Sequence, residues 1–224
     1  MSITESIKNI TWLGQSGFLL FFNKKTIVID PYETSVSAIA DIILITHPHW
    51  DHLSINDIEK FNNPNTIIIT DQQSASKIEG NIKIINIWDE LVIFGIKIKA
   101  VRAYNLDSQK PHLRKSNWLG FIISSGGTSI YHAGDTDLIP EMNDYDADIA
   151  LVPVSGTYVM DVKQAVDAIK IIRPKVAIPM HYNPKLNRYY KIFPGAGTMD
   201  DAIAFCNDIK HICKPVLLNI FSDN

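Results

Sequence analysis

The pattern of apolar and polar positions predicts a β-rich first half and a second half of alternating strands and helices. In the first half, short apolar runs are separated by Gly, Asn and Pro, which predicts strands over 10–13, 17–22 and 26–30. The apolar runs 42–46 and 66–70 each lead into polar, helix-compatible stretches, and the first of these predicts a helix over 54–61. These segments indicate strand–helix alternation after an initial set of hairpins.

The second half repeats this arrangement with longer helices. The runs 119–124 and 128–132 are joined by Ser125-Gly126-Gly127, a hairpin signal. After a buried strand over 148–154, apolar residues at helical spacing predict a helix from Asp161 to Arg173, followed by a strand over 176–180. Thr198 is placed to cap a final helix that ends near Cys213, before a closing strand over 216–220. The two halves fit an α/β fold in which two mixed sheets pack face to face with helices outside.

Composition narrows the class of protein further. The 224 residues are 46% hydrophobic and 20% charged, which predicts one packed domain over 1–224. The net charge of -3 predicts neither a nucleic-acid partner nor a polybasic membrane anchor. No basic, apolar leader begins the chain, and no apolar run approaches the roughly 20 residues that cross a bilayer. We therefore expect a cytoplasmic protein with Cys206 and Cys213 reduced.

The segment Thr46–His52, with the sequence Thr-His-Pro-His-Trp-Asp-His, carries the strongest chemical signal. It holds three of the seven histidines directly after an apolar run and before a predicted helix. His47 and His49 are two residues apart in extended chain, so their side chains leave on one side. Asp51 and His52 come from the following turn. Imidazole nitrogen and carboxylate oxygen are ligands for ions such as Zn²⁺, and the spacing suggests two neighbouring metals rather than one.

These residues match the HxHxDH signature of the metallo-β-lactamase superfamily. The segments 131–136 (Tyr-His-Ala-Gly-Asp-Thr) and 178–182 (Ile-Pro-Met-His-Tyr) resemble the later metal motifs of one branch. That branch contains metal-dependent hydrolases similar to ascorbate-6-phosphate lactonase. The resemblance implies an αββα sandwich, the metallo-β-lactamase fold, with a centre of two divalent ions, Zn or Mn. It also implies that Asp135 bridges the two metals and that His181 binds the second one.

Two further residues are expected to orient the ligands. Asp30 ends a predicted inner strand, and His132 lies just before the Ala-Gly-Asp turn. We expect Asp30 to orient a histidine ligand and His132 to bond a ligand or orient a carboxylate.

The chain departs from the family pattern at the third histidine of the first metal. The aligned residue is Asn105, whose amide oxygen is a weak ligand for Zn²⁺. Seven residues later, His112 lies in a loop with Lys110, Arg114 and Lys115 that is expected to be flexible. Either His112 folds back to complete the first site or contact substrate, or it is a surface residue and the site is left with Asn105 or water.

The expected reaction is hydrolysis by a metal-bound hydroxide of a phosphodiester or of a phosphorylated lactone or ester. Asp51 is a candidate general base if the second metal position is empty. The polar loop with Ser155, Thr157 and Tyr158, together with the three basic residues near His112, is expected to hold a small anionic substrate. The competing hypothesis is a non-catalytic metal-binding protein with an incomplete first site, and a redox di-iron role is a weaker third. A homo-oligomer is compatible with the sequence.

Overall fold

Two mixed β-sheets form the framework of the molecule in a computed structural model that describes residues 3–182 and 197–220. In the first sheet the strands follow chain order, and pairing changes from antiparallel to parallel at β3. Its strands are β1 Ile10–Gly14, β2 Gly17–Phe22, β3 Lys25–Ile29, β4 Ile42–Ile45, β5 Ile67–Thr70 and β6 Asn81–Ile84.

The second sheet has the order β13-β12-β11-β10-β9-β8-β7. Strands β7 to β10 pair antiparallel, and β10 to β13 pair parallel. Its strands are β7 Glu90–Ile93, β8 Ile96–Arg102, β9 Leu119–Ser125, β10 Thr128–His132, β11 Ile149–Pro153, β12 Val176–Met180 and β13 Lys214–Pro215.

The helices mostly connect parallel strands, which need a crossover connection. They are α1 Ile3–Lys8, α2 Ile55–Glu59, α3 Gln72–Ala75, α4 Val162–Ile172 and α5 Met199–Ile209, with 3₁₀ turns at Arg114–Ser116 and Pro140–Asp144. Among the described helices, none has the length and apolar character needed to cross a membrane.

Strand β4 shows how the sandwich is layered. Ile42 and Leu44 belong to the large core, which contains side chains from both sheets, whereas Ile43 and Ile45 pack in a smaller cluster with Ile58 and Phe61 of the α2 region. Alternate side chains of a strand point to opposite faces, so β4 is buried on both. The αββα sandwich predicted from the sequence is confirmed.

Three predicted elements differ from the structure by more than one residue at an end. The helix expected over 54–61 extends only over Ile55–Glu59, and the final helix ends at Ile209. The closing strand expected over 216–220 is wrong, because the ladder with β12 comprises only Lys214 and Pro215. After Val216 donates to the carbonyl of Ala177, the chain leaves this sheet, and Ile220 bridges to Trp12 of the other sheet.

Candidate metal centre

The site forms where strand ends of the two sheets meet. The segment Thr46–His52 follows β4 of the first sheet, whereas Asp135 and His181 follow β10 and β12 of the second. Backbone bonds join the sheets here: Leu119 N donates to Thr46 O at 3.0 Å, and His181 N donates to Gln15 O at 2.9 Å. The loops that carry the two groups of polar residues are therefore fixed to each other.

Left-handed backbone conformations at Gly134 and His181 set the directions of the Asp135 and His181 side chains. Gly134 has φ +61°, and a Cβ here would collide with the carbonyl oxygen of Leu119, so glycine is required before Asp135. His181 has the same φ of +61° although it is not glycine. Both backbone groups of His181 are hydrogen-bonded: its N–H donates to Gln15 O, and its carbonyl accepts from Gly197 N at 3.0 Å.

The side chains form three overlapping groups, in each of which the potential ligand atoms lie within 4.8 Å of one another. The groups are His47 with His49 and His112; His47 with His52 and Asp135; and Asp51 with His52 and His181. The carboxylate of Asp135 is central to this arrangement. Its Oδ2 lies 3.2 Å from His112 Nε2 and 3.3 Å from His181 Nε2, while its Oδ1 lies 3.2 Å from His52 Nε2.

Four of the imidazoles are held through Nδ1, which leaves Nε2 directed into the site. His47 Nδ1 lies 2.9 Å from Thr46 Oγ1, and His52 Nδ1 lies 2.8 Å from Asp30 Oδ2. His112 Nδ1 lies 3.0 Å from Asn105 Oδ1 and 3.1 Å from Tyr158 O. His181 Nδ1 lies 2.9 Å from Ser155 Oγ. Such partners fix the orientation of metal-binding histidines and raise their basicity.

Burial keeps two of the imidazoles neutral. Burial, together with the nearby His52, lowers the pKa of His47 well below its ordinary value. Burial and the neighbouring His112 lower the pKa of His49 to about 4. Both rings are therefore uncharged at neutral pH, which is the form that binds a metal.

For Asp135 and His52, interactions with charged neighbours outweigh the effect of burial on the pKa. Burial alone would raise the pKa of Asp135, but the imidazoles of His181 and His52 hold it well below its ordinary value. Burial would likewise lower the pKa of His52, yet Asp135, Asp51 and Asp30 raise it well above its ordinary value. The carboxylates thus stabilise positive charge at this position.

Buried atoms without partners show that the site fits a divalent cation. His52 Nε2, His112 Nε2 and Asp135 Oδ1 are buried and make no hydrogen bond within the described residues. Such atoms are costly to leave unsatisfied. Imidazole nitrogens and a carboxylate oxygen that converge without bonding one another form a donor set typical of Zn²⁺ and similar ions.

His112 lies next to the other imidazoles of the site, and Asn105 is hydrogen-bonded to it. His112 is buried beside His47 and His49 rather than on a flexible surface loop, because its backbone and ring both bond Asn105 Oδ1. Asn105 in turn donates from Nδ2 to Tyr158 O at 2.8 Å. Asn105 therefore positions the third imidazole and does not occupy its place.

The two predicted orienting residues differ in outcome. Asp30 bonds His52 as expected, and it also accepts from Thr46 N and Thr46 Oγ1 at 2.8 and 2.6 Å. Among the described residues, His132 forms no hydrogen bond to a ligand side chain. Its Nε2 bonds Ser16 O at 2.9 Å and its Nδ1 accepts from Gly134 N at 3.2 Å, so both nitrogens bind backbone and support the turn before Asp135.

The predicted substrate loop has a different part in the structure. Ser155 bonds His181, and Tyr158 contributes its carbonyl to His112, whereas Thr157 is exposed. Two of the three basic residues near His112 form ion pairs: Lys110 pairs with Asp137 at 2.8 Å, and Arg114 pairs with Glu141 at 2.9 Å. The third residue, Lys115, is exposed and forms no ion pair with the described residues.

Sequence reasoning missed two residues of the site. The ring of Trp118 lies 5.0, 4.7 and 5.5 Å from those of His47, His49 and His112, and its Nε1 donates to Gln73 at 2.9 Å. Gln15 donates from Nε2 to Asp51 Oδ2 at 3.2 Å. Trp118 begins an ordinary apolar run and Gln15 lies in an ordinary turn, so neither carried a local signal.

Comparison with known proteins agrees with this geometry. Residues 9–181 match the family model described as the Beta-lactamase superfamily domain. The chain is 37% identical over 193 residues to a UPF0173 metal-dependent hydrolase of Thermoplasma acidophilum, covering 80% of this chain and 84% of the relative. A similar relative from Methanoculleus marisnigri is 33% identical over 185 residues, covering 78% and 80%.

Solved structures give the same result. The metallo hydrolase Igni18 from Ignicoccus hospitalis superimposes with a TM-score of 0.77 at 26% identity, covering 95% of both chains. An isothiocyanate hydrolase from Delia radicum gut bacteria, at 15% identity and a TM-score of 0.71, shares the fold, with coverage of 95% and 97%. Fold, site and relatives together define a metal-dependent hydrolase. The chain belongs to the metallo-β-lactamase superfamily.

Proposed function

We propose that this hydrolase holds two divalent ions, Zn or Mn, and cleaves a phosphodiester or a phosphorylated lactone or ester. The observation that carries the proposal is the position of Asp135. Its carboxylate lies between two sets of imidazoles: Oδ2 is 3.2 Å from His112 Nε2 of one set and 3.3 Å from His181 Nε2 of the other, and Oδ1 is 3.2 Å from His52 Nε2. A carboxylate between two sets of nitrogen donors is suited to bridging two cations.

The remaining ligands divide on either side of Asp135. His47, His49 and His112 form a set of three imidazoles that would hold one ion. Asp51, His52 and His181 would hold the other. In this assignment Thr46, Asp30, Asn105 and Ser155 keep the rings in place through their Nδ1 atoms.

Bound divalent ions acidify water and polarise the bond that is cleaved. The chain itself orients the ligands and supplies Asp51, which is the least buried ligand carboxylate, with 16% of its side chain exposed. Gln15 fixes Asp51 through Oδ2. Because Asp51 is partly exposed, it is the group that can accept a proton when the second metal position is empty.

Charge supports an anionic ester as the substrate. Two divalent ions bring four positive charges, against three carboxylates from Asp30, Asp51 and Asp135. Before a bound water loses its proton, the loaded centre would therefore keep one net positive charge, which attracts a phosphoryl group. This attraction does not depend on Lys110 or Arg114, which are paired with acidic residues.

The alternative of a non-catalytic metal-binding protein depended on an incomplete first site. That argument rested on Asn105 in the place of a histidine. Because His112 lies with His47 and His49, three imidazoles are present there, which supports a complete first site rather than an incomplete one.

Metal reconstitution with Zn²⁺ or Mn²⁺ tests the proposal. We expect two ions per chain by mass spectrometry and hydrolysis of bis(4-nitrophenyl) phosphate. Asp135→Ala and His49→Ala are each expected to bind less than one ion per chain and to lose hydrolysis, because an absent bridging or terminal ligand leaves the ions poorly held. The exposed His211 provides the control, and His211→Ala is expected to match the wild type. Full metal content and activity in Asp135→Ala would disprove the bridging role.

A further inference from the structure

Two aromatic side chains lie beside the centre without a part in the ligand set. Trp50 stands between His49 and Asp51 in the sequence and is 54% exposed, although the side chains of both neighbours belong to the ligand groups. The ring of Tyr32 packs edge to face against it, with centroids 5.2 Å apart and planes at 71°. We call Tyr32 and Trp50 the aromatic rim.

The rim is joined to the metal centre on both sides. Trp50 is part of the segment that contributes the four candidate ligands His47, His49, Asp51 and His52, so its backbone position is fixed with theirs. Tyr32 lies two residues after Asp30, which is fully buried and bonds the ring of His52. Trp50 therefore presents an exposed aromatic surface next to the ligand cluster, with the half-buried ring of Tyr32 packed against it.

The segment that carries Tyr32 is also held rigidly. The buried carboxylate of Asp57 accepts from the backbone N–H groups of Glu33 at 2.9 Å and Thr34 at 3.3 Å. Glu33 itself adopts φ +44°, a left-handed conformation that needs such support. The side chain of Asp57 is fixed by Lys60 and Ser54. A preorganised aromatic pair loses little conformational entropy on binding a ligand.

The chemistry of the rim indicates which part of a substrate it receives. Exposed Trp and Tyr faces bind apolar and planar groups. The hydroxyl of Tyr32 donates to Glu33 Oε1 at 3.0 Å, so an exposed carboxylate lies at the rim. This carboxylate disfavours a second negative charge on the bound group. We propose that the aromatic rim binds an uncharged apolar group, with aryl groups preferred, of a phosphodiester whose phosphoryl group lies at the metal centre.

This inference rests on the proposed function and narrows it to diesters with one apolar substituent. A matched pair of substrates tests it: phenyl 4-nitrophenyl phosphate and methyl 4-nitrophenyl phosphate have the same leaving group and differ only in the second substituent. We expect the wild type to prefer the phenyl diester by about tenfold in kcat/KM, mainly through KM. Trp50→Ala and Tyr32→Ala are expected to remove most of this preference, while Trp50→Phe keeps most of it.

Metal content is measured for every variant, because Trp50 adjoins ligands. Tyr32→Ala removes one of the two rim side chains without changing the segment that carries the ligands. If Trp50→Ala loses metal, Tyr32→Ala still tests the inference. The matched control is Phe94→Ala, because Phe94 is also an exposed aromatic residue, with 46% exposure. Its carbonyl accepts from Asn23 in the turn between β2 and β3, which is at the opposite end of β3 from Asp30. The control is expected to keep the preference. An unchanged preference in metal-loaded Tyr32→Ala and Trp50→Ala would overturn the inference.

A binding measurement separates failure of the inference from failure of the proposed function. Neutral 4-nitrobenzyl alcohol is not an ester and is titrated into the metal-loaded protein while the indole N–H signal of Trp50 is followed by NMR. We expect a saturable shift of this signal, assigned through its absence in Trp50→Phe. If neither diester is hydrolysed, the phosphodiester function fails, but a saturable shift still supports the rim as an aryl site. Absence of a shift overturns it.

Discussion

At the scale of single residues, the partner of each imidazole decides what that imidazole can do. His112 and His132 are both buried histidines. His132 uses both ring nitrogens on backbone groups of Ser16 and Gly134, so no lone pair remains for a ligand role. His112 uses only Nδ1, and its Nε2 stays without a hydrogen bond among the described residues. The number of occupied nitrogens separates a structural histidine from one that is suited to bind a metal.

The contrast between His112 and Asn105 leads to a graded prediction. We expect His112→Ala to empty one metal position, because a three-imidazole set loses a direct ligand. Asn105→Ala is expected to weaken the same position by about 10- to 100-fold, since the amide only orients the ring. Metal titration with competing chelators measures both affinities.

The ligand assignment can fail in this experiment. The unchanged reference is His211→Ala, in which an exposed histidine is removed. If Asn105→Ala lost the metal completely while His112→Ala retained it, Asn105 would be the ligand. If both variants bound two ions with wild-type affinity, neither residue would belong to the site.

At the scale of elements, helix α4 stabilises the loop that supports two imidazoles. The loop carries Ser155 and Tyr158, and it returns at Asp161, which pairs with Ser155 by an isolated bridge. Asp161 also begins the helix: its side chain accepts from Gln164 N at 2.7 Å, and Gln164 Oε1 accepts from Asp161 N at 3.2 Å. This capping box satisfies helix N–H groups at the point where the loop ends.

Removal of the cap is expected to affect stability more than chemistry. Asp161→Ala should lower the free energy of unfolding by about 1 kcal/mol, the usual cost of losing an N-cap. Urea denaturation of the metal-free protein measures this change. Asp208→Ala is the matched control, because Asp208 is exposed in the last turn of α5, where a negative charge is unfavourable. Equal destabilisation by both variants would contradict the capping role.

At the scale of the whole molecule, the metal centre joins the two sheets. Its residues follow β4 in the first sheet and β10 and β12 in the second, with His112 in the connection from β8 to β9. Bound ions would therefore hold together parts of the chain that are far apart in sequence. A ligand that binds only the folded state stabilises it by mass action.

Metal removal is accordingly expected to lower thermal stability. With free metal 100-fold above Kd, one site adds about 2.7 kcal/mol, which corresponds to a rise in Tm of roughly 5–10 °C for a chain of this size. Differential scanning calorimetry with and without chelator measures the shift. Asp135→Ala should show a much smaller shift, and an equal Tm of the wild type with and without chelator would contradict the prediction.

The sequence by itself determined the layered fold and the candidate ligands that adjoin strand ends. His47, His49, Asp51, His52, Asp135 and His181 all follow apolar runs, and the carboxyl ends of neighbouring strands meet at one edge. Local periodicity also located α4 together with its cap at Asp161. These features depend on residues close together in the chain, so a local pattern is sufficient to predict them.

Only the tertiary structure decided between His112 and Asn105. The ring of His112 is turned inward by the carbonyl of Tyr158, which lies 46 residues away, and no local pattern encodes that contact. The same reason applies to Trp118 over the imidazoles and to the shortened strand at Lys214–Pro215, where the chain leaves one sheet for the other. Hydrogen bonds between distant segments select one arrangement among several that the local sequence allows.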